Sequence, residues 1–269
     1  MKNVHLLIPL LVAFASGCAS QDPGSGDASG PDESAVAQQA LLHRLEVGGE
    51  SIEFSQFTSE DGQTIVMVRE EGPSNQYPLV NALLDAHGEL TTLEMFRALA
   101  GKGAVAHAAL VASHDEEALA MGREETSVRE IAFDVNRAVR KISASACDAA
   151  AYPYPGTLDW HWTDKGKRDN VDGFTYTCLK NDCGYMTTRQ TTSRICNDSN
   201  TTIQERNAWD FDLASPWNTT PWADLPVNTS VGWFMPAGTS RRYSADGNSA
   251  AGKKYHARSG ALKYEPIIK

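Results

Sequence analysis

The chain has 269 residues, a formal net charge of −10 and 41% hydrophobic residues. That length holds one large domain or two modest ones, and the excess of acid argues against a nucleic-acid partner. At the N-terminus, Lys2 supplies a positive charge and Val4 to Phe14 form an apolar run interrupted by Pro9. Such a run falls well short of the ~20 residues that cross a bilayer, so it reads as a cleavable signal and not as a membrane helix.

Ala15, Ser16 and Gly17 lead directly into Cys18. This arrangement resembles the lipobox of bacterial lipoproteins, in which the cysteine is lipidated and becomes the new N-terminus. The resemblance covers residues 1–18 and implies a signal peptide over 1–17, acyl chains on Cys18 and a cell-envelope location. In that family an Asp just after the cysteine retains the protein at the inner membrane. Here Ala19 and Ser20 follow, which implies the outer membrane. Several acyl chains make a stable anchor, because each buried methylene contributes about 0.8 kcal/mol. The alternative is ordinary secretion, with cleavage after Ala13-Phe14-Ala15 and a free thiol at Cys18. The chain has five cysteines, and lipidation of one leaves Cys147, Cys178, Cys183 and Cys196 as an even set.

Residues 19–34 contain no apolar run and are rich in Gly, Ser, Asp and Pro. Such a stretch cannot bury enough surface to offset chain entropy. With Cys18 it reads as a tether over 18–35, with an end-to-end distance of roughly 20–25 Å. Beyond it the composition changes once more. From Ala19 to Ser145 there are 21 acidic and 9 basic residues, and from Ala146 to Lys269 there are 13 and 14. All six tryptophans and the four remaining cysteines lie in the second stretch. These shifts predict an α+β unit over 36–145 and an all-β, disulfide-stapled, sandwich-like unit over 146–269, joined near 145–158.

In the first unit, Ser51 to Phe54 alternates and Thr64 to Val68 is β-rich, with Asp61-Gly62 between them as a turn signal. Helical signals follow. Tyr77 to Ala86 predicts a short helix closed by His87-Gly88, and Thr91 with Glu94 forms a capping box for a helix ending at Gly101. Ala104 to Ala112 predicts an alanine-rich helix, restarted by a second box at Ser113 and Glu116. Ser127 with Glu130 gives a third box, and Ile131, Val135, Ala138, Val139 and Ile142 follow at helical spacing.

In the second unit, Phe174 to Cys178 and Cys183 to Thr187 alternate around a four-residue loop. Paired as a hairpin, Cys178 faces Cys183 within disulfide reach, ~5.5–6 Å between Cα atoms. That leaves Cys147 for Cys196, although four cysteines permit three pairings. A second hairpin is expected from Thr239–Tyr243 into Lys253–Arg258. Short strands in this number close naturally as a sandwich.

No strong catalytic motif is present: there is no His-Glu-x-x-His, no Gly-x-Ser-x-Gly and no phosphate-binding glycine loop. The cysteines lack paired C-x-x-C spacing. Seven residues along a helix put His107 and His114 ~10 Å apart, too far for one metal. No metal or other cofactor is therefore expected. Asp210 and Asp212 alternate on a strand and share a face, so they are the candidate carboxylates for an acid–base pair in glycan hydrolysis. Trp217, Trp222 and Trp233, interleaved with Asn-Thr pairs, suit sugar rings and hydroxyls if exposed. Lys254, His256 and Arg258 share one face at period two, with Arg241 and Arg242 on the expected facing strand. Together these residues predict a lipid-anchored, non-catalytic binding or interaction module. Its expected partners are the membrane, through the lipid, and an envelope polysaccharide or protein. The rival readings are an envelope glycan hydrolase and an assembly partner for other envelope proteins.

Overall fold

The strand pair expected around Asp61-Gly62 forms, and its alternation organises the molecule. β3 (Glu50–Thr58) and β4 (Thr64–Pro73) are antiparallel neighbours. On β4, Ile65 and Met67 enter one apolar cluster while Val66 and Val68 enter another. Successive strand residues point to opposite faces, so this sheet is buried on both sides. The computed structural model describes residues 35–141, 157–167, 172–177, 191–197, 200–210, 217–236, 242–248 and 253–262. They form a mixed helix-and-sheet fold.

Before β3 come β1 (Ala35–Val36) and β2 (Gln38–Val47). After β4 come α1 (Leu79–His87), α2 (Thr92–Ala100), α3 (Ala108–Ala120) and the single turn α4 (Val135–Ala138). The remaining strands are β5 (Thr157–Lys167), β6 (Asp172–Thr177), β7 (Thr191–Asn197), β8 (Ile203–Asp210), β9 (Asn218–Thr219), β10 (Ala223–Leu225), β11 (Thr229–Met235), β12 (Arg242–Asn248) and β13 (Lys253–Leu262). One sheet has the order β2-β3-β4-β11-β7-β13-β5, and the other runs β1-β9-β8-β12-β6 with β10 on β8.

Three layers result. Phe57, Ile65, Met67, Ile195, Val231, Trp233 and Met235 from the first sheet meet Ile203, Trp209 and Leu225 from the second. Phe57 sits edge-on to Trp209 and Trp233, at 5.5 and 6.0 Å between centroids, a favoured aromatic geometry. On the outer face of the first sheet, Ile52, Phe54, Val66, Val68 and Phe234 pack against Leu79, Leu83, Phe96 and Leu99 of α1 and α2. The break expected near 145–158 does not part the two sheets. β11 pairs with β4 from Thr229 to Phe234, and β1 pairs with β9. The tryptophan-rich stretch thus supplies strands to a core that it shares with the first half.

The helix signals hold for α1 and α2, which both close on a glycine. α2 has the full Thr91–Glu94 capping box, and α1 and α2 stop at Gly88 and Gly101 with φ of 73° and 86°. Two expectations fail. α3 starts at Ala108 and runs through Ser113, whose hydroxyl donates to the Leu110 carbonyl at 3.3 Å instead of opening a new helix. The helix expected after Ser127 shrinks to α4. The Arg129 N–H donates to Glu94 Oε1 at 3.0 Å instead of to a helical carbonyl. Ile131, Phe133 and Val135 then pack on the helix-side core at a spacing of two. The segment closes where Tyr77 N–H donates to the Arg140 carbonyl at 2.8 Å and the Arg140 guanidinium lies 3.9 Å from the Tyr77 ring centroid.

The expected hairpin over 239–258 does not form. β12 lies between β8 and β6 in one sheet, and β13 lies between β5 and β7 in the other. Each strand thereby gains two neighbours, where an isolated hairpin would give one. β6 pairs with β12, while Cys178 and the Cys183 to Thr187 run lie outside the described residues.

Buried charges place α1. Its N-cap is Pro78, which offers no side-chain bond. Two strand carboxylates take over: Leu79 N–H donates to Glu50 Oε2 at 3.0 Å, and Val80 N–H donates to Glu70 Oε1 at 2.7 Å. Arg194 Nη2 donates to the other Glu70 oxygen at 3.0 Å, and Arg194 Nη1 donates to Ser230 Oγ at 3.1 Å. A Cβ on Gly232 would stand 2.6 Å from Arg194 Nη2, and one on Gly72 would stand 2.6 Å from Glu50 Cγ. Burial, and then the neighbouring Glu70 carboxylate, push the Glu50 carboxyl far above its ordinary range. At the other end of the helical layer, burial raises Glu94, but bonds from Arg123 and Arg129 win and hold it at about 2. Glu117 accepts from Thr92 N–H at 2.6 Å and Thr92 Oγ1 at 2.7 Å. Burial outweighs those bonds and lifts it to about 7.

Two outcomes follow from these charges. Arg194→Met leaves Glu70 buried without its cation, so urea unfolding at neutral pH is expected to show a loss of about 3–5 kcal/mol. Glu117 has its pKa raised in the fold from 4.5 to about 7. Its contribution to stability is therefore complete below 4.5 and is lost as pH rises to about 7. Thermal melts across that window are expected to show this decline in the native protein and a shallower one in Glu117→Gln.

Candidate functional site

The inner face of the first sheet changes character along its strands. Beyond the apolar filling, one cross-strand row reads Arg44, Glu53, Arg69, Trp233 over β2, β3, β4 and β11. The next reads Glu46, Ser51, Glu71, Val231. Directly opposed residues share a face and touch, so opposite charges alternate along the first of these rows. Arg44 bonds Glu53. Arg69 Nη2 bonds Glu71 Oε2 at 2.6 Å, and Ser51 Oγ donates to Glu46 Oε1 at 2.9 Å.

Glu205 of β8 closes the bottom of this arrangement from the second sheet. It is fully buried. One oxygen accepts from Arg69 Nε at 3.1 Å and the other from the Trp233 indole N–H at 2.9 Å. Burial pushes its carboxyl above the ordinary range, against the pull of Arg69 and of the indole bond. The carboxylate therefore fixes both a guanidinium and an aromatic ring, and Arg69 also lies 5.8 Å from the Trp233 centroid.

Thr220 to Asp224, which lead into β10 and form its first two residues, make the opposite wall. Ala223 pairs with Glu205, which brings Trp222 and Asp224 to the same opening. The Arg206 guanidinium lies 4.7 Å from the Trp222 ring centroid, within the range of a cation–π contact. Between the wall and the charged rows is a groove of about 440 Å³. Gln39 stands at its rim, with its amide donating to Ser55 Oγ at 3.2 Å. A second cavity, of about 480 Å³, lies between α3 and the β3–β4 pair. Its buried carboxylate, Glu117, is already bonded to Thr92.

The groove offers donors and acceptors side by side, next to an aromatic ring. A hydroxyl group both donates and accepts, so such a surface matches a polyhydroxylated ligand. Trp222 and Trp233 come together here, Trp222 half-buried and Trp233 with its ring largely enclosed. Trp217 does not line the groove; it is half-buried, and its carbonyl accepts from Ala35 N–H at 2.9 Å. Asp210 is the last residue of β8, paired with Arg242 of β12, and Asp212 lies outside the described residues. Lys254, His256 and Arg258 fall on β13, an interior strand, and Arg241 lies outside the described residues. Cys18, Cys147, Cys178 and Cys183 also lie outside them. Cys196 is buried in β7.

Arg44, Glu53, Arg69 and Glu71 line the groove, Glu205 lies buried behind Arg69 and Trp233, and the sequence patterns single out none of the five. Their signal is charge at alternate positions inside β-rich runs, which in isolation reads as a solvent face. Among the described residues, no group of three or more His, Cys, Asp or Glu side chains is placed to hold a metal ion. No helix among them is long and apolar enough to cross a membrane.

No family model matches the chain, and no curated protein does. Among solved structures it is similar to NovW, a 4-keto-6-deoxy sugar epimerase from the novobiocin biosynthetic gene cluster of Streptomyces spheroides. The identity is 10%, over 87% of this chain and 73% of that one, with a TM-score of 0.27. A likeness of that size carries no argument about what this chain does.

Proposed function

We propose that the chain is a non-catalytic binding module of the cell envelope, and that its ligand is part of an envelope polysaccharide held in the groove between the two sheets. The observation that carries this reading is the pairing of Trp222 with the Arg44–Glu53 and Arg69–Glu71 ion pairs around one opening. Fixed donor–acceptor pairs need no rearrangement to receive hydroxyl groups, and preorganisation lowers the cost of binding. The ring supplies apolar area beside them. In this reading, acyl chains on Cys18 hold the protein at the outer membrane and residues 19–34 give it reach. Disulfides joining Cys178 to Cys183 and Cys147 to Cys196 staple the later strands.

Two measurements test the reading. Cys18→Ser is expected to move the protein from the membrane fraction to the soluble envelope fraction; retention in the membrane would refute the anchor. Trp222→Ala is expected to weaken polysaccharide binding in calorimetry by roughly tenfold, with the circular dichroism spectrum unchanged. No reducing ends should be released from a bound polysaccharide by the native protein. Binding that survives loss of the Trp222 ring would move the ligand elsewhere.

A further inference from the structure

The charges around the groove carry the argument one step further, resting on the polysaccharide reading. We propose that the groove selects neutral, hydroxyl-bearing sugar rings and rejects sugars that carry carboxylate or phosphate. Each guanidinium on its floor is already matched. Arg44 is bonded to Glu53, and Arg69 is shared between Glu71 and the buried Glu205. Arg206 sits over the Trp222 ring.

Against these cations stand the lining carboxylates Glu53, Glu71 and Asp224. Asp224 is exposed and makes no ion pair among the described residues. An incoming carboxylate or phosphate can only accept hydrogen bonds. A guanidinium keeps donors beyond those of its ion pair, but an anion that takes them lies beside Glu53 or Glu71, whose charge already neutralises that cation. Like-charge juxtaposition of this kind acts against a ligand and supplies specificity. A neutral hydroxyl leaves every ion pair intact: it donates to the carboxylate and accepts from the guanidinium of the same pair. With Arg206 on one face of the Trp222 ring, at most one face remains for the sugar, so stacking is single-sided.

The test compares oligosaccharide pairs that differ only in the oxidation state of C6: glucose against glucuronate, galactose against galacturonate, mannose against mannuronate. Binding to the full mature protein is measured by calorimetry at low and high salt. In whichever pair binds, the neutral member is expected to bind at least about tenfold tighter at low salt, with the gap narrowing at high salt as the carboxylates are screened. Asp224→Asn is expected to narrow the same gap at low salt while leaving the melting temperature unchanged. Tighter or equal binding of the acidic member overturns this proposal and leaves the polysaccharide reading standing. A gap that Asp224→Asn does not change removes the charge argument. Failure of every pair to bind overturns both readings.

Discussion

Arg194 is the residue on which the layers depend. A lone guanidinium inside a sheet costs several kcal/mol, and Glu70 on β4 answers it directly. The same carboxylate also receives the Val80 N–H of α1, so one side chain joins β7, β4 and the first helix. Glu50 repeats the device one strand over, on Leu79 N–H and on the Gln76 amide. Pro78 cannot cap the helix, and the strands do it instead. The space for this is made by two missing side chains, at Gly232 and Gly72. Once the helix-side face is pinned in this way, the register of β3, β4, β7 and β11 is pinned too, because a slip of one residue would turn every side chain to the wrong face.

That constraint reaches the groove. The Arg44–Glu53–Arg69–Trp233 row exists only in this register. Its charges lie on the inner face, where an apolar sandwich would place leucine or valine. Glu205 makes this tolerable by meeting Arg69 and the Trp233 indole from the opposite sheet. The two networks use the same chemistry to different ends. On the helix side, Glu70 is fully enclosed and its bonds are wholly internal. On the inner side, the row opens outward at Arg44, which is well exposed.

Short-range signals were legible in the sequence. Thr91 and Glu94 specify a box that the structure forms atom for atom, and Asp61-Gly62 turns the chain between β3 and β4. The misreadings share a cause: local pattern was asked to decide a long-range partner. Ile131, Val135, Ala138 and Val139 fit a helix as well as they fit an irregular strap, and Glu94, more than thirty residues away, settles the matter by claiming the Arg129 N–H. β12 and β13 are adjacent in sequence and compatible as a hairpin, yet each has two better neighbours. β2 went unread because its alternation is broken by a bulge at Leu41/His43, although Gly48-Gly49 marks its turn. The groove was hardest to see, since Glu53, Arg69 and Glu205 come from distant strands and only the sheet register makes them neighbours.

The way the chain enters the fold has a mechanical consequence. β1 does not begin the sheet to which β2 belongs. It lies parallel to β9, with Ala35 N–H on the Trp217 carbonyl and Ala37 N–H on the Thr219 carbonyl, before the chain crosses over. The residue after Thr219 begins the groove wall. Force applied from the N-terminal side therefore arrives at β9 through two backbone hydrogen bonds, next to the wall that carries Trp222. Pull at one end and shape at the ligand-facing edge are coupled through a contact only two residues long.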